Sequence, residues 1–300
     1  MTALTLPRNV NLLALLRFSP LFYKEEFELD FKSFKFISPS GVSLLSSMVY
    51  SKEISLDNLD NINYLQRVNF FVLHNLSLPE RFKRHDATSN MLELTKIQND
   101  NDPSAIDSKL KKILDTHLKS KETLILSILL TTYEITDNIL EHSKGTEFES
   151  TQRVLDKPGF ISAQYYEKDN EIQIGISDLG VGIVESMAKA YPALSREEIL
   201  QKAFSLNTSR HIAIMPKRGN GLAKLVEVVL QSRGRLICIT NEFQIRFDSG
   251  NKDGIISRLD TEVLGTHFEI VIGCLENIDS QKIFNAQPDD YDDLDDFFDF

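Results

Sequence analysis

Unbroken apolar stretches are short in this chain of 300 residues, far below the ~18 that a membrane span needs, so no membrane segment is expected. The opening residues, MTALTLPRNVNLLALLRFSP, lack the basic start, apolar middle and small-residue cleavage site of a secretory leader. Cysteine is nearly missing. Cys238 and Cys274 are too few for a disulfide framework, sit in strand-like runs, and read as reduced structural thiols of a cytoplasmic protein. Clustered lysine and arginine are missing too, which leaves little case for a nucleic-acid-binding body. The net charge is −11, and seven of those negative charges sit in PDDYDDLDDFFDF (288–300), so the rest of the chain carries only −4.

What is present reads as two folded units and a tail. Hydrophobic residues make up 42%, ordinary for a chain with a real core, and the length exceeds the ~100–200 residues of one domain. Residues 1–100 read as a small α/β unit. FELDFKSFKFIS looks like a strand region, and SPSGVSLLSSMVYS like a helix with Ser38 at the N-cap and Pro39 at the first helical position. The period of YLQRVNFFVL does not choose between helix and strand. IQNDNDPSAIDS (97–108) breaks the pattern as a linker or helix start.

From Asp107 to His142 the chain is largely helical by pattern, and GFISAQYYEKDNEIQIGISD reads as two strands joined at Asp169-Asn170. GLAKLVEVVLQSRG is a helix stopped by Gly234, and RLICIT, FQIRF and THFEIVIGC read as strands. This order predicts, over 101–278, an α/β two-layer sandwich: a mixed sheet with helices on one face. Residues 279–300 form an acidic tail whose composition cannot bury enough to fold alone.

Three polar features stand out against the core pattern. At 100° per residue, Ser127, Thr131, Glu134 and Asn138 share a ~60° stripe on the helix, with His142 at its edge. Every helix has a polar face, so the stripe alone is also compatible with plain solvation. In EIQIGISDLGVGI, strand alternation puts Asp178 on the side of Ile172, Ile174 and Ile176, where a carboxylate needs a hydrogen-bond partner. Gly180 and Gly182 follow, leaving room for a flat ligand; the alternative is an Asx turn before glycines. In KRGNGLAKL, Gly219 and Gly221 open a helix whose N–H groups can face an anion, with Lys217 and Arg218 beside them.

Together with Gly265-Thr266 before the final strand, these segments resemble the four ordered boxes of the GHKL ATP-binding module, shared by gyrase, heat-shock chaperones, histidine kinases and MutL. The match spans about residues 105–276. It implies a Bergerat-type fold that binds ATP and Mg²⁺. Asn138 would be the Mg²⁺ ligand, and Glu134 a catalytic base near the γ-phosphate. Asp178 would read adenine, with Gly180, Gly182, Leu222 and Thr266 around it. Lys217, Arg218, Gly219 and Gly221 would hold phosphates, with Thr208, Ser209 and Arg210 in a lid.

Among members of the module, the compact form is similar to anti-sigma-factor serine kinases. His117, followed by Leu118, does not fit the phosphoacceptor of a histidine kinase. LDFKSFKFISPSGVSLL resembles the strand-to-helix segment of STAS domains, in which Ser38 or Ser40 would stand at the phosphoacceptor position. Ser-Pro-Ser-Gly departs from the usual Asp-Ser-Ser-Gly, and plain capping roles for both serines remain open. The expected protein is therefore a cytoplasmic, ATP- and Mg²⁺-binding regulator that hydrolyses ATP or phosphorylates Ser or Thr of a partner. The alternative is a non-catalytic switch. Expected partners are a STAS-like or other regulatory protein, docked in one reading by the Phe-ending acidic tail, and a second copy in a homodimer.

Overall fold

The computed structural model describes residues 2–76, 88–99, 101–119, 121–143, 157–205 and 221–274. Its first half contains β1 (Thr2–Thr5), β2 (Asn9–Val10), α1 (Leu12–Leu16), a 3₁₀ turn over Ser19–Tyr23, β3 (Glu26–Asp30), β4 (Phe36–Ile37), α2 (Pro39–Val49) and β5 (Glu53–Asp57). After a second 3₁₀ turn (Leu59–Asn61) come α3 (Asn63–Arg67), α4 (Phe70–Leu73) and β6 (Met91–Ile97). The ambiguous YLQRVNFFVL is thus two short helices, broken where Asn69 takes a left-handed conformation (φ 73°). Strands β1, β3 and β5 form a parallel sheet in that order. Parallel neighbours need a crossover, and α1 and α2 supply it.

Helix α2 begins as its sequence predicts. The Ser38 hydroxyl accepts the Gly41 N–H at 3.1 Å and Pro39 occupies the first turn. Every residue from Pro39 to Val49 is buried, which is why PSGVSLLSSMV has no charged face. One side of α2 belongs to the N-terminal core, and the other lies on a second sheet.

The remaining elements are α5 (Asp102–His117), α6 (Glu122–Ser143), β7 (Gly159–Tyr166), β8 (Glu171–Ser177), α7 (Ile183–Ala188), α8 (Arg196–Ala203), α9 (Gly221–Gln231), β9 (Arg235–Asp248) and β10 (Asn251–Gly273), and β6 joins their strands in the second sheet. Its order is β6-β7-β8-β10-β9, and every neighbouring pair is antiparallel. The mixed sheet expected from sequence is therefore corrected: hairpins join β7 to β8 and β9 to β10, and hairpins make antiparallel pairs. RLICIT and FQIRF are one strand, β9, which bends where Asn241 adopts φ 52°. The expected boundary at residue 100 cuts through this sheet, because β6 pairs with β7.

Helices α5, α6 and α9 pack with one face, as expected, but the opposite face is also covered. Leu236 and Cys238 of β9 join the helix-side core, whereas Ile237 and Ile239 join the N-terminal core. A near-continuous apolar run such as RLICI is the mark of a strand buried on both faces. The N-terminal core thus takes in side chains from the second face of the sheet, which is covered on both sides. Residues Glu122–Leu140 of α6 are long and apolar enough to cross a membrane by length and hydropathy, yet they are mostly buried inside the protein.

Candidate functional site

The α6 stripe changes character along its length. Ser127 and Thr131 are buried and return their hydroxyls to their own helix, donating to Thr123 O (2.9 Å) and Ser127 O (2.8 Å). One turn further on, Glu134 is half-buried, and Asn138 is exposed. The stripe therefore runs from the core to an open edge. At that edge Glu134 meets the start of α9: a Cβ added to Gly221 would stand 1.8 Å from Glu134 Oε2 and 3.3 Å from Glu134 Cβ. Only glycine lets α9 begin so close to this carboxylate. Leu222, next in line, packs partly buried against the helix-side core.

Asp178 follows β8 and continues the side of Ile172, Ile174 and Ile176, as alternation predicts. Its Oδ1 accepts N–H bonds from Gly180 (2.7 Å) and Thr266 (3.2 Å), and its own N–H donates to Thr266 O (2.9 Å). The first bond is the Asx turn expected of an isolated Asp before glycines. The others join residues 88 apart in sequence and fasten the second box to the fourth. Gly265 makes this possible. It sits at φ 88°, and a Cβ there would come within 2.1 Å of the Asp178 carbonyl oxygen.

Asp178 is half-buried. That burial pushes its pKa up to about 6, against the opposing pull of the Gly180 and Thr266 hydrogen bonds and the Lys157 charge. The Cys238 thiol, also buried, is raised well above its usual range by desolvation and secondarily by the Asp178 charge. Asp178, Cys238 and Thr266 are thus neighbours on the helix-side face.

Two residues of this site escaped the sequence reading. Thr240 Oγ1 accepts the Ile183 N–H (2.9 Å), and Asn241 Oδ1 accepts the Val184 N–H (3.2 Å). Asn241 Nδ2 also donates to Val181 O (2.9 Å). Gly182, at φ 84°, fits because a Cβ would strike Asn241 Oδ1 at 2.4 Å. The first N–H groups of α7 are therefore taken by β9 side chains, and DLGVGI is clamped from below. The available signal was a Thr-Asn pair ending an apolar strand run, with Asn suited to a left-handed bend. Arg196 adds a brace, giving two bonds to Glu242 (2.6 and 2.7 Å) and a third to Glu185 of α7.

Thr208, Ser209, Arg210, Lys217, Arg218 and Gly219 lie outside the described residues, as do the His142 side chain and the tail. Ser38 and Ser40, the candidate phosphoacceptors, are 6% and 2% exposed. Their hydroxyls bond to each other (2.9 Å), Ser40 donates to Glu269 Oε2 (2.9 Å), and Arg235 holds Glu269 Oε1 (2.9 Å). A surface cleft of about 580 Å³, lined by residues such as His117 and Tyr165, shares none of the predicted site residues.

A scan of the chain against protein-family models finds no match, and a search of curated proteins finds none either.

Proposed function

We propose that the face between α6, α9 and the ends of β8 and β10 is an ATP–Mg²⁺ site of the GHKL type, and that the protein is a nucleotide-dependent regulator. The observation that carries this reading is the pairing of the four boxes. Glu134 lies against Gly221, and Asp178 is bonded to Thr266, both on the helix-side face of one sheet. The exposed amide of Asn138, one turn beyond Glu134, is suited to a hard cation. Among the described residues no group of three or more His, Cys, Asp or Glu could hold a metal, so Mg²⁺ here would take most of its oxygen ligands from phosphate and water. Bound Mg²⁺ would supply charge neutralisation at the phosphates. Glu134 would orient the attacking hydroxyl, Asp178 would accept from the adenine amine, and α9 would direct its first N–H groups toward phosphate.

Two outcomes of binding follow: phosphoryl transfer to water or to a partner's Ser or Thr, or a switch in partner affinity without chemistry. The burial of Ser40 against Glu269 argues against Ser40 as a phosphoacceptor in this arrangement. Binding of an ATP analogue with Mg²⁺ to the full chain and to Asp178→Asn tests the site; we expect at least ~10-fold weaker binding by the variant. Equal affinity would remove Asp178 from the role. Incubation with labelled ATP and a Glu134→Ala control then separates the outcomes: label on protein or free phosphate, dependent on Glu134, supports chemistry, and neither supports the switch.

A further inference from the structure

The strand that holds Asp178 from above is held from below by the N-terminal unit. Thr266 and His267 are successive residues of β10 and face opposite sides of the sheet. Thr266 presents its N–H to Asp178 at 3.2 Å. His267 is fully buried on the other side, its ring stacked on Phe22 of the Ser19–Tyr23 turn, with centroids 5.6 Å apart and planes at 22°. Its Nε2 lies 3.0 Å from Leu264 O. A carbonyl only accepts, so Nε2 carries the proton, and the side chain closes the irregular step of β10 between Val263 and Thr266. That step contains Gly265 and places Thr266 N at Asp178. A second tether runs beside it: Leu179, next to Asp178, is buried in the N-terminal core.

We propose that Phe22 and His267 are positioning residues of the nucleotide site, through which the N-terminal unit sets the affinity of Asp178 for its ligand. This rests on the ATP-site reading. Phe22 packs the His267 ring, the ring holds the Leu264 carbonyl, and that bond fixes the bulge from which Thr266 and Gly265 grip Asp178. A partner that shifts the Ser19–Tyr23 turn would loosen the pocket floor without touching nucleotide. The chain of contacts from Phe22 through His267 and the Leu264 carbonyl to Thr266 and Asp178 is continuous.

The test compares Phe22→Leu with Phe31→Leu in the full chain. Phe31 is equally part of the N-terminal core, but its ring contacts are Phe34 and Phe71. Both substitutions lower the melting temperature by loss of packing. Only Phe22→Leu is expected to weaken binding of a non-hydrolysable ATP analogue, by about tenfold, with Phe31→Leu within about twofold of the parent. Amide hydrogen exchange at Thr266 gives a readout that needs no ligand: it should quicken in Phe22→Leu and stay at the parent rate in Phe31→Leu. Equal Thr266 exchange in the two variants, or equal affinity where the parent does bind nucleotide, overturns the coupling. If the parent binds no adenine nucleotide while Thr266 exchange still responds selectively, the coupling stands and the ATP reading falls.

Discussion

Asp178→Asn should make the protein more stable at neutral pH while it damages the proposed site. Asn keeps an Oδ1 to accept the Gly180 and Thr266 N–H groups, and it has nearly the same shape. What it removes is an ionised group in a partly buried position. The Asp178 pKa stands at about 6 when folded, against about 3.9 in an unfolded chain. A raised acid holds its proton more tightly in the native state. Its favourable contribution is therefore complete below pH ~4, declines as pH rises to ~6, and is gone above that. Two pH units correspond to about 3 kcal/mol. For a chain of this size that is a melting-temperature gain of roughly 5–10 °C for the variant at pH 7.5, shrinking toward zero near pH 4. His74 and His267, both lowered to about 4 by burial, titrate across the same window with opposite sign, and Asp107, raised by burial to about 7, adds to the Asp178 trend. The comparison of variant with parent at each pH cancels them. Thermal melts at half-unit steps from pH 4 to 7.5 read the difference. A variant that melts at or below the parent throughout would show that the carboxylate is not under desolvation stress and would refute this reasoning.

Two further substitutions probe close backbone approaches. At Gly175 of β8 an added Cβ would stand 2.3 Å from Pro39 C, Pro39 O and Ser40 Cα, all backbone atoms of a helix also tied down by Ser43 Oγ donating to Gly175 O at 2.9 Å. Gly175→Ala should cost about 1–3 kcal/mol in a denaturant titration, while Gly250→Ala in the exposed β9–β10 turn stays within ~0.5 kcal/mol; equal midpoints for the two would mean that α2 does not sit on this sheet. Gly221→Ala intrudes on the end of a flexible Glu134 side chain and not on backbone, so stability should be nearly unchanged. The displaced carboxylate should instead lower any Glu134-dependent phosphate release by ~10-fold or more. Retained turnover would remove Glu134 from the chemistry.

Local rules carried well where an element answers to its own sequence. The Ser38 cap, the Pro39 first turn and the Asn170 hairpin each follow from a short stretch, and each is found. The misses share a cause: they depend on which distant segment covers an edge or a face. MLELTKI has strand chemistry, but nothing in its residues says that its partner is β7. GNKDGIISRLDTEVLG is polar and glycine-rich, and it becomes strand only because it runs beside β9. Thr240 and Asn241 look like the end of a strand; they become a clamp because α7 begins above them.

The apolar run RLICI shows how the two kinds of information combine. Its composition already implies burial on both faces, and the structure supplies the two occupants: α9 and its neighbours on the Leu236–Cys238 side, the N-terminal unit on the Ile237–Ile239 side. The same alternation continues into Thr240 on β9 and into Thr266 and His267 on β10, where it separates polar groups. One set faces Asp178, and the other faces Phe22. A sheet with solvent behind it could give way at Thr266 with little consequence for the rest of the molecule. Here the reverse face is filled by fully buried side chains of another unit, so any displacement of Thr266 must move His267, and any repacking around Phe22 must be felt at Asp178.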